Sequence, residues 1–239
     1  MKNRLDLEMV VRGLVSSRSQ AENFIRLGQV EVNGKIAAKT GLAIDERDQV
    51  KLLAPEQYVS RAGLKLASVA QKLYLDFVDK VVLDVGSSTG GFTDFALQHG
   101  ASKVFAVDVG TDQLHPSLHG NPRIELHEKT DIRDFAPSET PDIVVIDVSF
   151  ISLRQILPHI AEISSKNTQI IAMVKPQFEA SREQSNKGVI KNDAIRRKIL
   201  NDFEVWAKRY FVIKDKADSE VAGAKGNRER FYKLHLLAK

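Results

Sequence analysis

From residue 81 onward, short apolar runs rich in Val and Ile alternate with segments of helical spacing, and this alternation constrains the chain more than any other feature. The runs are Val81–Val85, Lys103–Asp108, Asp142–Asp147 and Thr168–Val174, and Arg123–His127 is a further predicted strand between the second and third of them. A helix with apolar positions Leu66, Val69, Ala70, Leu73 and Leu75 precedes them, and later helices are predicted over Leu153–Ile163 and Asn192–Lys208. Strands joined by helices in this way predict a doubly wound, mostly parallel α/β sheet. Two last runs, Phe211–Lys214 and Phe231–Leu237, flank a glycine-containing segment without helical pattern. They predict an antiparallel hairpin at one edge.

The first run continues into Gly86-Ser87-Ser88-Thr89-Gly90-Gly91-Phe92, a glycine-rich turn that opens onto a helix near Phe92. Gly86, Gly90 and Gly91 let the backbone turn sharply and approach a ligand with no Cβ in the way. Thr93 and Asp94 supply the capping oxygen and negative charge favoured in a first helical turn. The spacing is G-x-x-x-G-G, not the G-x-G-x-x-G of a dinucleotide site. Asp108 ends the next strand, where a carboxylate can accept hydrogen bonds from both hydroxyls of a ribose. No Lys or Arg lies between Gly86 and Asp94 to clamp a phosphate. The predicted ligand is therefore a nucleoside without a pyrophosphate, and S-adenosylmethionine meets that description. The candidate cofactor residues are Asp84, Gly86, Ser87, Ser88, Thr89, Gly90, Gly91, Phe92, Thr93, Asp108, Asp131 and Asp147. Asp131 either contacts the adenine amino group or caps a turn.

Composition narrows the class. The 239 residues are 43% hydrophobic, enough for a sizeable core in one or two domains. There is no cysteine, which excludes disulfides, thiol catalysis and cysteine-ligated zinc and agrees with a reducing cytosol. Asp6 and Glu8 interrupt any apolar leader behind Met1, and no stretch reaches the roughly 18 apolar residues of a membrane span. A soluble cytoplasmic protein with no membrane partner is predicted. Residues 1–54 carry 9 basic and 7 acidic side chains, residues 55–179 carry 11 and 16, and residues 180–239 carry 15 and 8. The net charge of +4 permits nucleic-acid binding without demanding it. His115, His119 and His127 have no acidic or His partner at ligand spacing, so no metal site is predicted.

The first 54 residues read as a separate α+β module. Arg4–Leu14 and Ser19–Leu27 have helical apolar spacing, with Ser17 or Ser19 as an N-cap and Gly28 as a stop. Gly28-Gln29-Val30-Glu31-Val32-Asn33-Gly34-Lys35 is an alternating strand ending in an Asn-Gly hairpin signal, and Asp48–Leu52 supplies another strand. Ser17-Arg18-Ser19-Gln20-Ala21 with the Gly28–Lys35 run resembles the alpha-L RNA-binding module of small-subunit ribosomal protein four and pseudouridine synthases. That resemblance implies RNA backbone contacts from Arg18, Arg26 and Lys35, and Arg4 and Arg61 join them as candidates. The plainer alternative is that these are solvated surface charges. Ala54-Pro55-Glu56-Gln57 is the expected linker to a second domain over 55–239.

Chemistry in an open α/β sheet sits outside the carboxyl ends of its strands. Asp147 and Lys175 occupy two such ends, and Pro176 favours an extended Lys175 backbone. An ion pair that only staples two strands is the plainer reading. Here a closer resemblance emerges. The run Leu83–Thr93, Ser60-Arg61-Ala62-Gly63-x-Lys65, Asp147-x-Ser149-Phe150-Ile151-Ser152, Val174-Lys175-Pro176-Gln177-Phe178-Glu179 and Gly226-Asn227-Arg228-Glu229 together resemble the TlyA family. Its members, often labelled hemolysin A, are FtsJ-like ribosomal RNA methyltransferases. The segment Ser219–Lys225 departs from the family's proline-rich spelling.

The resemblance implies a Rossmann-like S-adenosylmethionine-dependent methyltransferase sheet that acts on the ribose 2′-hydroxyl of cytidine in ribosomal RNA, with RNA or ribosomal subunits as partner. It also implies a Lys-Asp-Lys-Glu tetrad, falling on Lys65, Asp147, Lys175 and Glu229. Lys175 would contact the 2′-oxygen, either removing its proton or stabilising the developing alkoxide, with Asp147 orienting it. Lys65 and Glu229 would hold the ribose. Two other functions stay open at this point: an RNA-binding protein that has lost catalysis, and a membrane-active hemolysin. The cofactor alone also allows a small-molecule or protein substrate.

Overall fold

The computed structural model describes residues 3–15, 17–26, 28–53, 58–180, 188–190, 192–223 and 226–237. The chain divides into two compact units, Met1–Gln57 and Tyr58–Lys239. The expected linker Ala54–Gln57 lies outside the described residues.

The first unit contains β1 (Asn3–Arg4), α1 (Leu5–Val11), α2 (Arg18–Arg26), β2 (Val30–Val32), β3 (Lys35–Ile36), β4 (Ala43–Ile44) and β5 (Val50–Leu52). β2 lies between β3 and β5 in an antiparallel sheet, and β1 pairs with β4. Asn33 and Gly34 both have positive φ, 51° and 79°, as a two-residue hairpin turn with the twist of its strands requires. Leu5, Met9, Phe24, Ile25, Val30 and Ile44 form the core. The first helix is shorter than the predicted Arg4–Leu14, and the chain turns at Gly13 with φ +67°. Of the two cap candidates it is Ser17 whose hydroxyl accepts from Gln20 N–H, at 3.3 Å.

The second unit contains α3 (Arg61–Ala70), β6 (Val81–Val85), α4 (Gly91–Gln98), β7 (Lys103–Val107), β8 (Ile124–His127) and β9 (Ile143–Ile146). α5 (Leu157–Glu162), β10 (Gln169–Val174), α6 (Pro176–Glu179), α7 (Asp193–Ala207), β11 (Phe211–Asp218) and β12 (Arg230–Leu236) follow. One seven-stranded sheet runs in the order β11-β12-β10-β9-β6-β7-β8. β10, β9, β6, β7 and β8 are parallel, whereas β12 pairs antiparallel with both β10 and β11. The predicted mixed sheet with a terminal hairpin is therefore the observed one. Leu83 and Val85 point to one face, with Leu157, Leu200 and Phe203 from α5 and α7. Val82 points to the other, with Leu66, Val69, Phe92 and Phe95 from α3 and α4. Apolar residues are therefore needed on both sides of each central strand, which is why these strands read as unbroken apolar runs.

Three boundaries differ from expectation. The predicted helix Leu153–Ile163 is a 3₁₀ turn over Leu153–Gln155, capped by Ser152, followed by the separate α5. The helix expected to reach Leu75 ends at Ala70, and Tyr74 turns the chain with φ +49°. β11 runs to Asp218 because Ala217 and Asp218 pair with Phe231 and Arg230 of β12. Among the described residues, no helix is long and apolar enough to cross a membrane.

Candidate active site

The strand order reverses between β6 and β9, and the crevice outside their carboxyl ends is where an open α/β sheet takes a ligand. Val85 pairs with Ile146 there, so the glycine-rich turn at Gly86 and the residue after β9, Asp147, emerge side by side. Gly86 has φ +80°, and a Cβ on it would lie 2.7 Å from the Asp147 carbonyl oxygen. The two strand ends approach too closely for any other residue.

Two adjoining cavities open at this point. The larger, of about 350 Å³, is walled by Val107, Val109, Ile132, Val148, Ile151 and Ile156 and carries Asp108, Asp131, Gln113 and Asp147 as polar groups. The smaller, of about 160 Å³, is lined by Asp84, Ser87, Thr89, Phe92 and Lys175. Gly86, Ser88, Asp147 and Ser149 line both. Asp84 is fully buried. Its Oδ2 accepts from Thr93 Oγ1 at 2.7 Å, while its Oδ1 has no partner. Burial pushes its carboxyl up to about 7, against the Thr93 bond, and the Asp147 and Asp108 charges add to the rise. The Ser87 hydroxyl is likewise buried without a partner.

Four charged side chains form two close pairs at the same end of the sheet. Lys175 Nζ lies 2.5 Å from Asp147 Oδ1 and donates to Ser149 Oγ at 2.8 Å. Lys65 Nζ lies 2.6 Å from Glu229 Oε2. Sheet register accounts for part of this: Val174 pairs with Arg230, which sets Lys175 and Glu229 at adjacent strand ends. Lys65, Lys175 and Glu229 are all buried. Taking such charges out of water is costly unless they are matched, which is the arrangement seen here.

The remaining predicted cofactor residues divide. Asp108 stands at the end of β7, with Oδ2 accepting from Ser88 N–H at 2.9 Å and Oδ1 from Gly110 N–H at 2.7 Å. It fixes the glycine-rich turn and still lines the larger cavity. Asp131 lines that cavity too, but both its oxygens are engaged by Arg133, at 2.6 to 3.0 Å, and those bonds hold its carboxyl down at about 2. It caps a 3₁₀ turn, as its alternative reading allowed. Gly90 and Gly91 were expected to clear space for a ligand, and the structure corrects that. A Cβ on Gly90 would meet Leu118 and Leu114, and one on Gly91 would meet Ala62 and the Gly63 backbone. Their smallness serves packing against neighbouring chain. Thr93 does not cap α4, since Gly90 is its N-cap with φ 87°, whereas Asp94 does place a negative charge in the first turn as expected. Thr93 bonds Asp84, and Asp94 Oδ2 accepts from Val59 N–H at 2.8 Å.

The structure adds residues to which the sequence reading gave no role. Ser149 bonds Lys175, and Gln113 accepts from Ser88 Oγ at 2.9 Å. Glu179 accepts from Ser152 Oγ and Leu153 N–H at 2.6 and 2.7 Å, pinning the loop after Asp147 to α6, the short helix that follows β10; burial raises its carboxyl. Ser149 and Glu179 stood inside the motif runs, but only their order was visible there. Gly223 also acquires a reason, because a Cβ on it would strike the Glu229 carboxylate.

The candidate RNA contacts fall in different settings. In the first unit Arg4 makes two bonds to the buried Asp6, at 2.8 and 2.9 Å, and Arg18 makes a third at 2.9 Å. Hydrogen bonds from Arg4 come first among the causes that hold the Asp6 carboxyl down at about 2. Both arginines therefore also serve the fold. Arg26 lies 3.8 Å from Glu22, and Lys35 is exposed on the Asn33–Gly34 hairpin. In the second unit, Arg61 donates to the Ala222 carbonyl at 2.6 Å.

A seven-stranded sheet with one strand inserted antiparallel, and acidic cavities at its switch point, defines a Rossmann-like α/β unit of the methyltransferase type. Residues 58–235 match the FtsJ-like methyltransferases, and residues 4–50 match the S4 domain. Hemolysin A of Brachyspira hyodysenteriae is 37% identical over 240 residues, covering 98% of this chain and 99% of that protein. The 23S rRNA (cytidine-2'-O)-methyltransferase TlyA of Campylobacter jejuni is 43% identical over 189 residues, covering 77% and 74%. The solved structure of "Putative hemolysin from Streptococcus thermophilus" is 38% identical with a TM-score of 0.77, covering 100% of this chain and 90% of that one. The chain belongs to the FtsJ-like methyltransferase family and carries an S4 domain at its N-terminal end.

Proposed function

We propose that this protein transfers a methyl group from S-adenosylmethionine to the ribose 2′-hydroxyl of cytidine in ribosomal RNA, with residues 55–239 as the catalytic domain and 1–54 as an RNA-binding domain. The observation that carries the reading is the pair of buried Lys-acid contacts, Lys175–Asp147 and Lys65–Glu229, beside cavities whose lining suits a cationic nucleoside. The naming of the Campylobacter relative supports the substrate class.

The chain's residues fit the cofactor. Asp84 Oδ1 and Ser87 Oγ are buried polar atoms without partners, suited to the ammonium and carboxylate of an amino-acid moiety. The apolar walls of the larger cavity suit a flat base, and Asp108 suits ribose hydroxyls. S-adenosylmethionine, when bound, supplies a methyl carbon already activated by a sulfonium sulfur. What the protein must add is position and control of one proton. Asp147 holds Lys175 Nζ beside the cavity that both residues line, so the amine reaches the 2′-oxygen as proton acceptor or as donor to the developing alkoxide. Lys65 from α3 and Glu229 from just before β12 hold the ribose. The basic surface of the S4 domain, Arg26 and Lys35 included, supplies phosphate contacts that fix register without reading sequence.

Lys175→Ala tests this assignment. Methyl transfer to ribosomal RNA is expected to fall by about 10²- to 10⁴-fold while S-adenosylmethionine still binds. Near-normal transfer by the variant would remove Lys175 from the mechanism.

A further inference from the structure

An amine nitrogen on its Cε carries three further tetrahedral directions. Around Lys175 Nζ one of them is taken by a hydrogen bond, to Ser149 Oγ at 2.8 Å, while Asp147 Oδ1 lies 2.5 Å away as the opposite charge, without the geometry of a hydrogen bond. We propose that Ser149 is a positioning residue for methyl transfer, whose hydroxyl oxygen fixes the rotation of the Lys175 amine so that a free direction of that nitrogen faces the acceptor 2′-oxygen. This rests on the role assigned to Lys175 above and adds what sets the direction of that group.

With only the non-directional attraction of Asp147, the amine turns about Cε–Nζ and its hydrogens or lone pair sweep a cone. With the Ser149 bond as well, one N–H direction is fixed and tetrahedral geometry sets the other two, so the lone pair of the neutral amine is confined to those directions. The charged amine in the same grip offers N–H groups in those same directions. The geometry therefore serves either proton role.

Ser149 is suited to this by its place. It lines both cavities, the one with the apolar walls and the one that holds Lys175. The residue is exposed while Lys175 is buried, so an acceptor nucleotide docking over this rim covers Ser149 and strengthens its bond by excluding water. Its backbone is held as well. Phe150, next along the chain, turns with φ +66°, and Glu179 ties Ser152 and Leu153 to α6 just beyond Lys175. The loop carrying Ser149 and the segment carrying Lys175 are thus fastened to one another again three to four residues past the bond itself.

The test compares Ser149→Ala, Ser149→Thr and Lys175→Ala with the unaltered protein. In Ser149→Ala, kcat for methyl transfer to ribosomal subunits is expected to fall about 10- to 100-fold, with KM for both substrates nearly unchanged. Ser149→Thr, which keeps the hydroxyl, is expected to recover most of that loss. A second readout needs no turnover: NMR of isotope-labelled lysine side chains in the cofactor-free protein should show an ordered Lys175 amine that becomes rotationally averaged in Ser149→Ala and is ordered again in Ser149→Thr. An unchanged kcat in Ser149→Ala overturns the proposal, and so does a raised KM for RNA at constant kcat, which would make Ser149 a binding contact. Lys175→Ala separates the two claims. If that variant is inactive while Ser149→Ala is fully active, only the positioning role fails; if it is fully active, the underlying assignment of Lys175 fails.

Discussion

Asp84→Asn should stabilise the cofactor-free protein at alkaline pH and weaken its grip on S-adenosylmethionine. The Asp84 carboxyl is fully buried, is hydrogen-bonded by Thr93, and is pushed up to about 7 from an ordinary value of 3.8. The folded protein therefore keeps this proton between roughly pH 4 and 7, while the unfolded chain, with an ordinary carboxyl, releases it. A stability contribution fully present below about pH 4 is lost as the pH rises through 7, and three pKa units correspond to about 4 kcal/mol at most. Asn keeps the shape and can still accept from Thr93, but it has no charge to bury. Urea unfolding of both proteins from pH 5 to 8 reads the difference. The original protein should lose stability relative to Asp84→Asn across this window, by about 2 to 4 kcal/mol in total. Calorimetry with S-adenosylmethionine should show the opposite ranking, with Asp84→Asn binding about 10- to 100-fold more weakly. Affinity of the original protein should rise with pH up to about 7 as Asp84 ionises to meet an ammonium. Parallel stability curves for the two proteins, within about 0.5 kcal/mol, would refute the reasoning, because an ionised buried carboxylate must register in that comparison.

Other substitutions probe the site's supports. Gly223→Ala places a Cβ against the Glu229 carboxylate, so methyl transfer should fall while cofactor affinity, read by calorimetry, stays constant. Lys65→Ala leaves Glu229 buried without its partner and should lower unfolding stability by about 3 kcal/mol or more in urea; a loss under about 1 kcal/mol would mean the pair contributes little to the fold. Gly63→Ala sets a Cβ 2.5 Å from Tyr58 Cβ and 2.9 Å from the Gly91 carbonyl, and thermal melting should report a destabilisation of about 1 to 3 kcal/mol. Asn227→Ala removes the side chain that accepts from Ile190 N–H at 3.0 Å and donates to the Gly188 carbonyl at 2.9 Å, so backbone amide exchange at Ile190 should accelerate.

The sheet was legible because its strands are buried on both faces. Val81–Val85 and Gln169–Val174 have no polar face to confuse with a helix, and the strand positions came out within a residue or two. Element ends were less legible where distant pairing decides them. β11 runs to Asp218 through its ladder with β12, and a local pattern of Lys and Asp gives no hint of that. At the site, Asp147 and Lys175 could be placed at strand ends from the sequence, but their 2.5 Å approach depends on register between neighbouring strands. Thr93 illustrates the opposite failure. A Thr in a first helical turn reads as a cap, yet its hydroxyl turns inward to the buried Asp84, nine residues earlier. The glycine pair at 90–91 misled in a similar way, since sequence reveals the absence of a side chain but not which neighbour needs the room.

One measurement reads the acceptor atom directly. Ribosomal subunits incubated with the protein and methyl-labelled S-adenosylmethionine, then digested to nucleosides, should carry the label in 2′-O-methylcytidine. Label recovered only in methylated bases, in protein or in small molecules would contradict the account.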